Sequence, residues 1–243
     1  MKLTDAIAWQ HAEKLFVSLA EKPGRTGETF YNTLFKHHNI NAEYVACECT
    51  DLAADIKLVR EHCAGASITM HFEKQVEQYL DMGRANYMPI NTVVNRNKFL
   101  LGFNCDYLGL VDVLADKIKG KSIVLLGDGA MAQNVKTLCK ENYIYHVHRN
   151  NWYLRHNRGD ILINTTSIGM GADKSPVDSI KADLVVDCVI GNTRLIRDAR
   201  AEGKQTITGA DIYVAQFMHQ FKLYTEQEPD LDVVKLVAKE LFQ

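Results

Sequence analysis

The chain has 243 residues, a length that fits one large domain or two small ones. Its 28 Lys and Arg residues against 30 Asp and Glu give a net charge of -2, which excludes the broad basic surface needed to bind a nucleic acid backbone. A hydrophobic fraction of 47% with only 4 prolines indicates a folded protein, and no segment approaches the roughly 20 apolar residues that span a bilayer. We expect a soluble cytoplasmic protein.

The first hundred residues alternate between helical and strand patterns. Apolar side chains at helical spacing predict helices over 3–20, 28–38 and 52–63, and a polar helix over 73–81. Short apolar runs predict strands over 43–47, 66–70, 90–94 and 99–103. The four polar residues 95–98 between the last two strands predict the loop of a hairpin. This alternation predicts an α/β layer.

A second series of strands and helices follows. The aliphatic run 122–126 predicts a strand that leads into Gly127, Asp128 and Gly129 and then into a helix to about 141. Further strands are predicted over 143–148, 160–164 and 184–187. Further helices are predicted over 193–202, 209–225 and 230–242.

The junction after residue 126 has the chemistry of a dinucleotide loop. Gly127 permits a tight turn, Gly129 lets the backbone approach a pyrophosphate, and the helix start offers free amides and a positive dipole end. A plain turn has the same pattern, and Asp128 places a negative charge where phosphates would lie. This segment alone leaves both interpretations open.

Neither the cysteines nor the histidines form a metal-binding pattern. The six cysteines lack any CxxC spacing, which argues against a zinc ribbon or a disulfide framework and predicts buried reduced thiols. His146 and His148 share a strand face with His156 nearby, but no cluster of carboxylates or cysteines completes a ligand set. We assign no metal.

Three longer segments, in this order, resemble the shikimate dehydrogenase family. They are MPINTVVNRNKFLLGFNCDYLGL from residue 88, ILINTTSIGM from residue 161 and GKQTITGADIYVAQFMHQFKLYT from residue 203. GDGAMA, from residue 127, stands where the family has GAGGAA. The nearest subgroup is that of the shikimate-dehydrogenase-like proteins. The resemblance implies an NADP-dependent oxidoreductase of two domains.

The resemblance also assigns roles to matching positions. Asp106 is implied as one member of the catalytic pair. The implied substrate-binding residues are Asn91, Gln216, Asn32 and Thr69. The implied cofactor-binding residues are Gly127, Gly129 and Ala130 in the phosphate loop, Arg149 on the adenosine phosphate of NADP, and Thr165 and Ser167 beside the nicotinamide. Plain structural roles compete with these assignments: Asn91 could anchor the hairpin, Asp106 could cap a helix, and Arg149 could be a surface charge.

Two binding segments depart from the family pattern. The paired serines that bind the substrate carboxylate are replaced by Arg25 and Gly27, and Glu28 follows at a proline position. The connection between the second and third strands of the cofactor domain, about eleven residues, is too short for the usual helix plus edge strand. A tyrosine expected near the nicotinamide is absent from CVIGNTR. These changes predict NADP binding that is weak or absent.

The family's catalytic lysine is also missing. In SITMHFE, Glu73 takes the lysine position and His71 the nearby proline position, while Lys74 is displaced by one residue, about 100° on a helix. A carboxylate in place of an ammonium disfavours an anionic substrate and favours an amine, guanidinium or iminium. Either Glu73 or His71 is the replacement acid or base, or Glu73 is a solvated residue of a site that no longer catalyses.

We therefore predict an α/β protein of two domains. Residues 1–103, completed by a helix at 219–243, form a substrate-binding type domain, and residues 104–218 form a shortened Rossmann domain of NADP-binding type. The chemistry is expected in the cleft between them.

Two functional hypotheses follow. The first is an NADP(H)-dependent oxidoreductase that reduces C=O or C=N in a small polar, cationic or amino-acid-derived substrate, with Asp106 and Glu73 in proton transfer. The alternative is a pseudoenzyme that binds a pathway intermediate or stabilises a partner enzyme. The state of assembly is open between a homodimer and a complex with such a partner.

Overall fold

The structure, a computed structural model, describes residues 1–69, 71–83, 89–156 and 158–242. The chain divides into two compact units: residues 1–105 with 218–241, and residues 106–217 with Phe242. Each unit is built on its own sheet. Within these described ranges, no helix is both long and apolar enough to cross a membrane.

The first unit carries a mixed sheet, to which the described residues contribute six strands. They are β1 (Lys14–Ala20), β2 (Ala42–Glu48), β3 (Gly65–Ile68), β4 (Met82–Gly83), β5 (Thr92–Arg96) and β6 (Phe99–Phe103), in the order β2-β1-β3-β5-β6-β4. The first three run parallel, whereas β5 is antiparallel to both β3 and β6. The helices of this part are α1 (Leu3–Ala8), α2 (Thr26–His37) and α3 (Leu52–His62), and a 3₁₀ helix spans Val76–Tyr79.

The predicted helix over 3–20 is wrong, because α1 ends at Ala8 and β1 begins at Lys14. Every residue of β1 after Lys14 is buried, and the strand lies between β2 and β3. A strand covered on both faces reads as a continuous apolar run, and such a run also satisfies helical spacing. Hydrophobic periodicity therefore could not separate the two elements.

Three smaller predictions also change. The polar helix over 73–81 is reduced to the 3₁₀ turn Val76–Tyr79. The hairpin loop has two residues rather than four: Asn97 and Lys98 both have positive φ, the conformation that two-residue hairpin turns require. The predicted strand 66–70 ends at Ile68, and Met70 lies outside the described residues.

The second unit has a parallel sheet of five described strands. They are β7 (Ser122–Leu126), β8 (Tyr143–Val147), β9 (Ile161–Asn164), β10 (Leu184–Asp187) and β11 (Gln205–Ile207), in the order β11-β10-β9-β7-β8. Its helices are α4 (Cys105–Ile118), α5 (Ala130–Leu138) and α6 (Arg194–Ala201); α7 (Gly209–Thr225) continues into the first unit, where α8 (Leu231–Phe242) follows.

The connection from β8 to β9 confirms the predicted shortening of the Rossmann domain. Only a 3₁₀ helix, Arg149–His156, is described between these strands, so β8 is the edge strand of the described sheet. The predicted α/β fold class with a parallel, Rossmann-like second sheet is confirmed.

Candidate functional site

A groove of about 840 Å³ lies at the carboxyl ends of β7, β8 and β9. The loops that follow these three strands line it: Gly127, Asp128, Gly129, His148, Arg149, Asn150, Trp152, Thr165, Thr166, Ser167 and Ile168. The chain leaves β7 for β8 on one side and places β9 on the other, so the groove occupies the point at which an open parallel sheet binds ligands.

The two loop glycines have different physical roles. Gly127 has φ +113°, and a Cβ there would lie 2.4 Å from Oγ1 of Thr165, so this glycine is required by packing. Gly129 precedes α5, and no atom lies within 4 Å of the place its Cβ would take. In the described chain the amides of Ala130, Met131 and Ala132 have no hydrogen-bond acceptor, which leaves donors for an anion at this end of α5.

The carboxylate of Asp128 is countered by the ammonium group of Lys136. Nζ of Lys136 lies 2.9 Å from Oδ1 of Asp128, and this hydrogen bond holds the pKa of the carboxyl below its usual range. Nε2 of His146 lies 3.5 Å from the same oxygen and 2.8 Å from the carbonyl oxygen of Gly127. Among the described residues, no group of three or more His, Cys, Asp or Glu could hold a metal ion. His146 thus contacts the backbone of the glycine loop and helps to fix it.

The other predicted cofactor residues lie on the same groove. Arg149 is exposed at the start of the 3₁₀ helix, and Ser167 is exposed in the loop after β9. Thr165 uses both its amide and its hydroxyl to bond the carbonyl oxygen of Leu126, at 2.8 and 2.7 Å. Its hydroxyl therefore fixes the loop against β7.

Sequence reasoning missed the buried carboxylate that supports this loop. Asp187 ends β10 with no exposed surface and accepts hydrogen bonds from Nδ2 of Asn164 at 2.9 Å, the amide of Val189 at 3.1 Å and Oγ1 of Thr193 at 2.6 Å. Burial raises the pKa of this carboxyl. Asn164 in turn accepts the hydroxyl of Thr166 at 2.7 Å, so the chain of bonds reaches the groove.

In the first unit, the side chain of Asn91 has a bonded oxygen and a nitrogen that is left as a donor. It is 7% exposed, and its Oδ1 accepts the amide of Cys105 and the hydroxyl of Thr92, each at 2.8 Å. Its Nδ2 makes no hydrogen bond within the part of the chain that the structure describes. The fixed oxygen anchors the residue beside the hairpin, and the nitrogen is left as a donor.

A buried polar network stands behind Asn91, and no local motif indicated it. Oε1 of Gln220 accepts the hydroxyls of Tyr31 at 2.5 Å and Ser67 at 3.1 Å, and Nε2 donates to Oγ1 of Thr92 at 2.6 Å. The hydroxyl of Tyr44 donates to Ser67 at 2.7 Å, and burial raises its pKa far above the usual range. Through Thr92 this network fixes the orientation of the Asn91 amide.

Asp106 and Gln216 are both placed by the crossing of α4 and α7. A Cβ on Gly109 would lie 2.7 Å from the backbone nitrogen of Gln216, so the two helices touch through their backbones. Asp106 lies three residues before Gly109 and shares its helix face. Since α4 begins at Cys105, Asp106 is a residue of the first turn and not the helix cap. Gln216 is 8% exposed.

The segment after β3 carries Thr69, His71 and Glu73. Both the amide and the hydroxyl of Thr69 lie 3.2 Å from the carbonyl oxygen of Leu19, so this threonine joins β3 to β1. His71 is exposed with φ +70°, and Glu73 is partly buried. Lys74 lies in a turn and is exposed, so the helical rotation expected for it does not apply.

Asn32 and Glu28 lie on α2 and bond the backbone of the edge strand β2. Nδ2 of Asn32 donates to the carbonyl oxygen of Tyr44 at 3.0 Å, and Oδ1 of Asn32 accepts the backbone amide of Tyr44 at 2.8 Å. Oε1 of Glu28, one turn earlier on α2, accepts the amide of Ala46 at 2.8 Å, and its Oε2 pairs with Arg25 at 2.6 Å. Both polar atoms of the Asn32 side chain are thus bonded to the edge strand β2, and its role in substrate binding stays a prediction.

Known proteins of similar sequence identify the relatives of this chain. No family model matches it. A shikimate dehydrogenase-like protein of Haemophilus influenzae is 31% identical over 93% of this chain and 95% of its own length. A shikimate dehydrogenase (NADP(+)) of Pyrococcus abyssi is 28% identical over 86% of this chain and 91% of its own.

Solved structures agree. A shikimate 5-dehydrogenase-like protein has a TM-score of 0.84 at 30% identity, covering 95% of this chain and 98% of its own. The shikimate 5-dehydrogenase of Thermus thermophilus, solved in complex with NADP(H) and shikimate, has a TM-score of 0.80 at 21% identity over 93% of this chain and 99% of its own, and shares the fold. The chain therefore belongs to the shikimate dehydrogenase family, within its divergent shikimate-dehydrogenase-like subgroup, and has an oxidoreductase scaffold.

Proposed function

We propose that this protein is an NADP(H)-dependent oxidoreductase that reduces a C=O or C=N bond in a small polar substrate with a cationic or amino-acid-derived group. The observation that carries the proposal is the groove at the ends of β7, β8 and β9, where the open face of Gly129 and the guanidinium of Arg149 line one space. When bound, NADP(H) supplies the hydride, and binding, orientation and proton transfer fall to the protein.

The groove residues fit a phosphorylated dinucleotide. The space beside Gly129 admits a pyrophosphate close to the backbone, and the amides at the start of α5 are donors for it. Arg149 adds a cation on the β8 side, where an adenosine phosphate would lie. Asp128 opposes an anion, but Nζ of Lys136 lies 2.9 Å from its carboxylate and offsets its charge.

Reduction also requires a proton at the oxygen or nitrogen of the reduced bond. We assign this proton to the carboxyl group of Asp106, with Glu73 as the second acid or base and His71 as its alternative. Nδ2 of Asn91 and the side-chain amide of Gln216 position the substrate; both residues are more than nine-tenths buried. Buried amides have few rotamers to lose, which favours recognition of a small polar molecule.

The charges of the substrate-binding unit support a substrate that lacks a free carboxylate at the usual position. Arg25 pairs with Glu28 at 2.6 Å, so its charge is already countered. Glu73 stands where the family has its lysine and adds a negative charge when ionised. Negative charge repels a carboxylate substrate and attracts an iminium or an amine.

The second candidate function is that of a non-catalytic relative that binds an intermediate or a partner enzyme. The short connection between β8 and β9 favours it, because the described part of that connection carries only the 3₁₀ helix Arg149–His156 beside the groove. A protein that had lost the cofactor would tolerate such a truncation.

Calorimetric titration of the purified protein with NADPH and NADH, up to millimolar concentration, separates the two candidates. Since the short connection after β8 predicts weak cofactor binding, we expect NADPH to bind within the titrated range and more tightly than NADH. Bound NADPH then justifies a panel of imines, keto acids and their amino derivatives, and Glu73→Gln should reduce kcat/KM on the best substrate by about 10²- to 10⁴-fold, the usual contribution of one acid or base group. The absence of binding by either cofactor would overturn the redox proposal.

A matched pair of variants tests the role of Glu73. Lys74→Gln removes a neighbouring charge without touching the proposed site and should leave kcat/KM unchanged within a factor of about 2. If Glu73→Lys instead creates activity on shikimate in a protein that had none, the site is a degenerate one, and the second candidate is correct.

A further inference from the structure

We propose that Trp152 is the platform on which the adenine ring of the cofactor stacks, in place of the wall that the shortened domain lacks. This inference rests on the proposed function, because it concerns the adenosine end of the same groove. It assigns a ligand-binding task to the short segment that connects β8 to β9.

The position of Trp152 in the fold carries the first step. In a Rossmann fold the adenosine half of the dinucleotide lies beyond the carboxyl end of the second strand, which is β8 in this chain. The residues after β8 that line the groove are His148, Arg149, Asn150 and Trp152. Trp152 is the largest aromatic side chain among the described lining residues, and it lies on the 3₁₀ helix that replaces the usual helix and strand.

The indole is held in place by residues that do not line the groove. Trp152 is partly buried against the apolar cluster that contains Val124 and Leu162. The guanidinium carbon of Arg155 lies 5.9 Å from the ring centroid, and Nη1 of Arg155 donates to the carbonyl oxygen of Trp152 at 3.2 Å. Arg155 lines a separate small cavity with Val124, Gly159 and Leu162, so it does not compete for the groove.

The chemistry of the groove then divides between its two ends. The amides beside Gly129 and the charge of Arg149 recognise phosphate, which every phosphorylated ligand offers. A flat aromatic ring recognises the π-face of a base, and such stacking is sequence-tolerant and strong enough to account for a tenfold or larger change in affinity. Trp152 is thus the residue that makes the groove prefer an adenine nucleotide over a simple phosphate.

Three ligands and three variants test this assignment. NADPH, adenosine 2′,5′-bisphosphate and reduced nicotinamide mononucleotide are titrated calorimetrically into the wild-type protein, Trp152→Leu and Trp152→Phe. Trp9→Leu is the matched control, since Trp9 is the other tryptophan of the chain, is 72% exposed and lies in the other unit. Circular dichroism melts verify that each variant is folded.

We expect Trp152→Leu to weaken NADPH and the bisphosphate by the same factor, about tenfold, and to leave the mononucleotide unchanged. Trp152→Phe should restore most of the affinity because it keeps an aromatic face. Binding of NADPH to a folded Trp152→Leu with the wild-type affinity overturns the platform but leaves the proposed function standing. Failure of both NADPH and the bisphosphate to bind the wild-type protein overturns both proposals.

Discussion

Replacing Gln220 with Glu tests the buried network behind Asn91. Gln220 is 4% exposed, and its Oε1 accepts two hydroxyl donors while its Nε2 donates to Thr92 at 2.6 Å. A glutamic acid has the same shape. When protonated it can still donate to Thr92, but when ionised it cannot, and its charge is buried without a cation among the described contacts of Gln220.

The magnitude follows from the pKa of the introduced carboxyl. Full burial raises such a pKa by up to about 3–5 units, and the donors Tyr31 and Ser67 offset part of this, so we take a net rise of about 2 units from the unfolded value of about 4.3. A folded pKa above the unfolded one means that stability is retained at low pH and lost as the pH rises between the two values. With about 1.4 kcal/mol per unit, the loss is about 1 kcal/mol at pH 5 and about 3 kcal/mol at pH 8.

Urea unfolding followed by circular dichroism at pH 5 and pH 8 measures this difference. Gln227→Glu is the control, because Gln227 is exposed in the same unit and undergoes the same charge change. The control should lose under about 0.5 kcal/mol at both values of pH. An equal loss for Gln220→Glu at pH 5 and pH 8, or no loss at pH 8, would refute the placement of Gln220 in a dry network.

Two further predictions concern positioning elements of the second unit. Gly109→Ala places a Cβ 2.7 Å from the backbone nitrogen of Gln216. We therefore expect the free energy of unfolding to fall by about 1–3 kcal/mol, despite the better helix propensity of alanine. A melting temperature at or above that of the wild type would contradict the close crossing of α4 and α7. Burial raises the pKa of Asp187, so its contribution to stability falls as the pH rises from about 4 through its folded pKa. Asp187→Asn keeps an acceptor for the amide of Val189. This variant should flatten the pH dependence of the unfolding free energy between pH 4 and 7. A profile parallel to that of the wild type would show that Asp187 does not titrate as described.

The second sheet could be predicted from sequence because its signals are local. The strand at 122–126 is an aliphatic run that leads directly into glycines and a helix, and the following strands repeat that pattern. The short connection after β8 was also visible, since its length alone excluded a helix plus a strand. The strand at 14–20 could not be predicted from sequence, because a strand covered on both faces carries no hydrophobic period of two.

The residues of the candidate site also differ in whether a local sequence signal indicates them. Gly127, Gly129 and Arg149 follow strand ends within a few residues; a local motif indicates the two glycines, and the family resemblance implies Arg149. Gln220 could not be found in this way, since its partner Tyr31 is 189 residues away and nothing in either local pattern requires the other. The structural role of Asn32 could not be found for a related reason: its amide pairs with an edge strand that the sequence does not identify as an edge.

Retained family residues differ in what their retention means. Gly127 would clash with Thr165 if it had a side chain, and Gly109 would clash with Gln216, so packing alone preserves both glycines in a protein with or without activity. Gly129 has open space where its Cβ would be, and Arg149 is exposed on the groove, so neither is required by packing. A pseudoenzyme would be free to lose these two residues first, and their presence on one groove is therefore the stronger support for a bound phosphate.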